Sequence, residues 1–151
     1  MYTREEASAV RRQFWTTFGQ YMKPVRNAEG ETANWLNYKT GVRHLYFRMD
    51  AGKREASVAV EISHPDESLR SYYYGQFVAM RNVFESHAGE GWQWQPEVYD
   101  EDGRLISRII TTLPEVNVLD TSHWPSIISF FKPRIVALDG FWSLARDMFM
   151  V

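Results

Sequence analysis

The sequence predicts an α+β fold built on an antiparallel sheet, and three observations point there. Two runs alternate apolar and polar residues on either side of a short Gly-containing loop. A second pair of alternating runs flanks Asp100-Glu101-Asp102-Gly103. Three further segments place apolar residues at steps of three and four. The first two patterns are hairpins and the third is amphipathic helix. The expected order is α-β-β-β-α-β-β-α, a sheet of about five strands with helices packed on one face.

The first helix is expected over residues 3–22. Thr3 and Glu6 have capping-box spacing, and Ala7, Val10, Phe14, Phe18 and Tyr21 mark the buried stripe. Pro24 ends it. Residues 26–31 read as a loop, and Asn34-Trp35-Leu36-Asn37-Tyr38 as a first strand. The central hairpin follows at residues 42–63. Leu45, Phe47 and Met49 alternate with His44, Tyr46, Arg48 and Asp50; Ala56, Val58, Val60 and Ile62 alternate with Ser57, Ala59, Glu61 and Ser63. With Ala51-Gly52-Lys53-Arg54 as the loop, Met49 pairs with Ala56, Phe47 with Val58 and Leu45 with Val60. The polar face then sets His44 opposite Glu61 and Asp50 opposite Glu55. A slip of one residue mixes the faces and is opposed by burial, whereas a slip of two preserves them.

Ser63-His64-Pro65-Asp66 starts a second helix. Leu69, Tyr73, Phe77, Met80 and Phe84 form its stripe, and Gly89 and Gly91 stop it. Residues 92–99 and 104–113 form the second hairpin, in which one register pairs Trp94 with Ile109 and Val98 with Leu105. The last helix begins at Thr121 or Ser122. Ile128, Phe131, Ile135, Leu138, Trp142, Ala145 and Phe149 are its stripe, with a kink or break near Phe131 because Pro133 lies inside it.

At 151 residues the chain is expected to form one domain, residues 1–151, with a core that needs no staples. It has no cysteine, so disulfides, thiol nucleophiles and cysteine-ligated metals are excluded. The net charge of −2 and the lack of any Lys/Arg block argue against a dominant phosphate-binding field. No run approaches the roughly 20 apolar residues of a membrane span, and residues 1–12 lack the apolar stretch of a signal peptide; a cytoplasmic protein is the expectation. There is no Gly-rich phosphate loop, Ser elbow or His-x-x-x-His pair, so no cofactor and no metal is expected.

The candidate site is the polar sheet face: His44, Tyr46, Arg48 and Glu61 from the first hairpin, and Gln93, Gln95, Arg104 and Arg108 from the second. The ordinary reading is a solvated face; the functional one is a surface for a partner. His44 opposite Glu61 makes a potential acid–base pair without a third metal ligand. The six Trp are read as mainly structural, with those at element edges offering an aromatic contact patch.

Helix, three strands, helix, strand resembles the core order of the PD-(D/E)xK nuclease superfamily, with Asp50 and Glu61 in the strands that carry its acids. In the register above these acids stand roughly 20 Å apart, and Ser63 occupies the place of the lysine. The runs QFWTTFGQYM, NWLNYKTGVRHLYFRMD and ISFFKPRIVALDGFW resemble the bacterial family domain of unknown function 4268 over nearly the whole chain. That resemblance implies a small soluble protein, with related domains found beside restriction-type modules, and supplies no catalytic residues. The expected function is a non-catalytic binding or assembly module, as a homo-oligomer or with a protein partner. The alternative is a nucleic-acid-related domain on a degenerate nuclease fold.

Overall fold

The computed structural model describes residues 2–150. The order is α1 (Arg4–Met22), β1 (Leu45–Ala51), β2 (Glu55–Ile62), α2 (Glu67–Ala79), α3 (Arg81–Ala88), β3 (Gln93–Tyr99), β4 (Leu105–Pro114) and α4 (Trp124–Ala145). One-turn 3-10 helices precede and follow α4. The four strands form one antiparallel sheet in the order β1-β2-β4-β3.

The sheet has four strands rather than about five, because residues 34–38 form no strand. Asn34 accepts the Asn37 N–H through its side chain and curls the segment into a turn, while the Trp35 indole is buried and donates to the Val25 carbonyl at 3.0 Å. Local side-chain hydrogen bonding outcompetes strand pairing there. The order that suggested a nuclease core is therefore absent, since only two strands separate α1 from α2.

Helix α1 begins as expected, on the reciprocal Thr3–Glu6 capping box. Ala7, Phe14, Phe18 and Met22 are buried, whereas Tyr21 is exposed beneath the Lys132 ammonium, 5.2 Å from its ring centre. The second helix divides at Met80 into α2 and α3. Asp66 caps α2, but Leu69 faces solvent; Arg70 turns inward instead and donates to the His64 carbonyl at 3.0 Å. Of the kink or short break expected near Phe131, the break does not occur: helix α4 is continuous through Pro133. Phe130, Phe131 and Ile135 are buried on either side of the proline, and Arg134 donates its guanidinium to the Phe130 carbonyl at 3.0 Å. Tertiary burial here outweighs the loss of one helical hydrogen bond.

In the first hairpin the predicted faces hold but the register slips by two. Met49 pairs with Val58, Phe47 with Val60 and Leu45 with Ile62. The Gly52 N–H donates to the Glu55 carbonyl at 2.9 Å, so Lys53 and Arg54 alone make the turn. The slip adds the pairs Leu45–Ile62 and Ala51–Ala56 and moves Asp50 from Glu55 to Ser57, which removes a like-charge pair. In the second hairpin Trp94 does pair with Ile109, but Val98 meets Ile106 rather than Leu105. A bulge between Gln95 and Val98 holds Pro96, which has no N–H to give the ladder.

Leu45, Phe47, Ala51, Ala56, Val58, Val60, Ile62 and Ile109 share one sheet face and join the buried residues of the four α-helices in one core. Aromatic rings dominate it. Phe77 contacts Phe84, Phe141, Trp142 and Phe149, with ring centres 4.8–6.4 Å away. All six Trp are buried or half-buried, so no tryptophan patch stands free at the edges.

Candidate polar sheet face

The side of the sheet away from this core carries the predicted polar residues, and pairing aligns most of them. Tyr46, Glu61, Arg108 and Gln95 lie in one row across β1, β2, β4 and β3. Arg48, Ala59, Ile110 and Gln93 form the next row, about 7 Å away along the strands. The Arg48 Nε meets Glu61 Oε2 at 2.8 Å, and its guanidinium lies 4.2 Å from the Tyr46 ring centre. The Arg108 Nε donates to Gln95 Oε1 at 2.9 Å. Six of the eight candidates thus form one surface. With the Arg48 side chain half exposed, its ion pair is worth about 1 kcal/mol or less.

His44 and Arg104 do not join it. His44 precedes β1 with φ 66°, a left-handed conformation, and its ring lies 4.8 Å from that of His64. The two-residue slip puts Tyr46, not His44, opposite Glu61, so the acid–base pair does not form. Arg104 closes the Asp100 turn, about 13 Å along the strand from Arg108. The bulge also reverses the alternation of β3, so that Val98 takes the place opposite Ile106 and the face ends in an apolar pair.

His44 supplies a pH dependence. Partial desolvation, with the neighbouring His64 and Arg43, lowers its pKa below the ordinary imidazole value of 6.5. The unfolded chain therefore takes up a proton first. Stability is full above the unfolded pKa and declines as pH falls through it. His44→Asn, which tolerates the left-handed backbone, is expected to flatten this decline; denaturant midpoints measured across the pH range check it. An unchanged slope would show that His44 is not its source.

Asp50 now stands opposite Ser57, four residues from the partner of Glu61, about 13 Å along the strand. Among the described residues no group of three or more His, Asp or Glu side chains is placed to hold a metal ion. The acids of the nuclease comparison thus remain apart.

A second polar centre escaped the sequence reading. Asp139 on α4 is buried; its carboxylate accepts the Ala28 N–H at 2.7 Å and the Tyr38 hydroxyl at 2.5 Å. Burial first, and then Asp139, pushes the Tyr38 phenol well above its ordinary pKa, so it stays a donor. A cavity of about 210 Å³ opens beside them, lined by Asn27, Asn34, Ser143 and Arg146 among others. Arg146 pairs with Glu29 at 3.2 Å. Both Asp139 oxygens are engaged in tying residues 28–38 to α4. The only signal in the sequence is an acid on the apolar stripe of α4.

Fold and face together define a small α+β domain with one covered and one open sheet face. The chain belongs to the family described as domain of unknown function DUF4268, whose model matches residues 10–145. No curated protein and no solved structure matches it. Among the described residues no helix is long and apolar enough to cross a membrane.

Proposed function

We propose that the chain is a non-catalytic assembly module, and that it presents its open sheet face to proteins, beginning with other copies of itself. The observation that carries this reading is the pair of rows in which Tyr46, Arg48 and Gln93 are exposed and Glu61, Gln95 and Arg108 half-buried. Its charges alternate in sign: Glu61 pairs with Arg48 and stands opposite Arg108. A surface of that kind complements another mixed surface better than it does a polyanion.

Two measurements test the proposal. Sedimentation velocity over a wide concentration range is expected to show reversible self-association, and a monomer at every concentration would overturn the reading. Thermal unfolding with Mg²⁺, Mn²⁺ and short DNA or RNA is expected to show no shift. A ligand at about 100 times its dissociation constant adds roughly 2.7 kcal/mol. Each kcal/mol moves the midpoint by about 2–4 °C at this size, so a clear rise would favour the nucleic-acid alternative.

A further inference from the structure

The two edges of the sheet are treated differently. At the β3 edge the bulge and Pro96 spoil the ladder, a common protection against strand addition. Strand β1 forms the other edge with seven residues and no proline or bulge. The bonds from Ser63 N–H to the His44 carbonyl and from Gly52 N–H to the Glu55 carbonyl set the phase of its pairing. His44, Tyr46, Arg48, Asp50 and Gly52 direct their backbone groups to β2, whereas Leu45, Phe47, Met49 and Ala51 direct theirs outward.

Leu45 is already closed: its N–H donates to the Val42 carbonyl, and its carbonyl accepts the Thr40 hydroxyl at 2.8 Å. No hydrogen bond from the described residues reaches the backbone groups of Phe47, Met49 and Ala51. Three consecutive outward positions thus lack a partner within the described residues; Met49 is half-buried, while Phe47 and Ala51 keep 7% and 6% of their surface.

From this we infer that a second copy of the chain pairs there, β1 against β1 in antiparallel register about a two-fold axis at Met49, making one eight-stranded sheet. The inference rests on the self-assembly of the reading above, but it moves the contact between copies from the open face to the edge of the sheet. This register uses every free group: Met49 faces its counterpart and Phe47 faces Ala51 of the other copy, giving six backbone hydrogen bonds. On the open face the same axis sets Arg48 of each copy opposite Asp50 of the other, so two opposite-charge pairs form. Asp50 is exposed, has no ion-pair partner among the described residues, and acquires one. Pairing moved by two residues toward the start of β1 would need Leu45, whose groups are taken. The two open faces become continuous, doubling the polar surface.

Charge reversal tests this. Asp50→Arg places like charges opposite each other at both positions and is expected to weaken self-association by about tenfold or more. Arg48→Glu is expected to do the same, and an equal mixture of the two variants to associate again, because each Arg then meets an acid. Far-ultraviolet circular dichroism checks that both variants fold. Wild-type association that is indifferent to Asp50→Arg would overturn the β1 interface and leave the assembly reading standing. A monomeric wild type would overturn both.

Discussion

Phe77→Ala is expected to destabilise the protein by about 3–5 kcal/mol, the cost of truncating a fully buried aromatic in a core that cannot collapse onto the space. Phe77 has no exposed surface and lies among Phe84, Phe141, Trp142 and Phe149, so rings from α2, α3, α4 and the segment after α4 lose contact together. At roughly 2–4 °C per kcal/mol the unfolding midpoint drops on the order of 6–20 °C. Equilibrium denaturation with an unchanged denaturant slope checks it. A loss below about 1 kcal/mol would mean that this cluster is not the centre of the core. The variant needs no assay of function, which makes it the most direct check on the packing.

The second large effect belongs to Asp139. Replacing it by Ala leaves the Ala28 N–H and the Tyr38 hydroxyl without an acceptor in a half-buried setting, at an expected cost of about 2–3 kcal/mol. Tyr38→Phe removes one donor and should cost less than Asp139→Ala. The two effects should not add, because they share one hydrogen bond. A double-mutant cycle measures this coupling. Additive losses would show that Tyr38 and Asp139 act separately, and that residues 28–38 are held to α4 in some other way. Faster amide exchange around Ala28 in the Asp139 variant would locate the loosened segment directly.

These two sites also mark how far the sequence could be read. Phe77 was legible because it sits at helical spacing with Tyr73 and Phe84, and apolar periodicity is a local property. Asp139 was not: its partners lie 101 and 111 residues away in the chain, and no local pattern announces a contact at that range. The same division runs through the candidate face. Alternation assigned Tyr46, Arg48, Glu61, Gln93, Gln95 and Arg108 to one side, because strand side chains have a period of two whatever the pairing. Their neighbours depend on register. A two-residue slip keeps every face while exchanging every partner, which is why His44 lost Glu61 and Tyr46 gained it. The bulge at Pro96 was the other blind spot, since one extra residue reverses alternation beyond it and brings Val98 to the face in place of Glu97.

From sequence alone came the α+β class, both hairpins, the capped start of α1, the buried stripes in outline and six of the eight residues assigned to the polar face. Each follows from periodicity, turn chemistry or side-chain capping, and these act within a few residues. Tertiary structure alone decided that residues 34–38 turn rather than pair, that α4 passes through Pro133 unbroken, and that α2 and α3 separate at Met80. It also decided that, among the described residues, none hydrogen-bonds the outward backbone groups of Phe47, Met49 and Ala51 on β1. Those outcomes depend on which distant surfaces compete for the same burial and the same hydrogen bonds, and that competition exists only once the chain has folded.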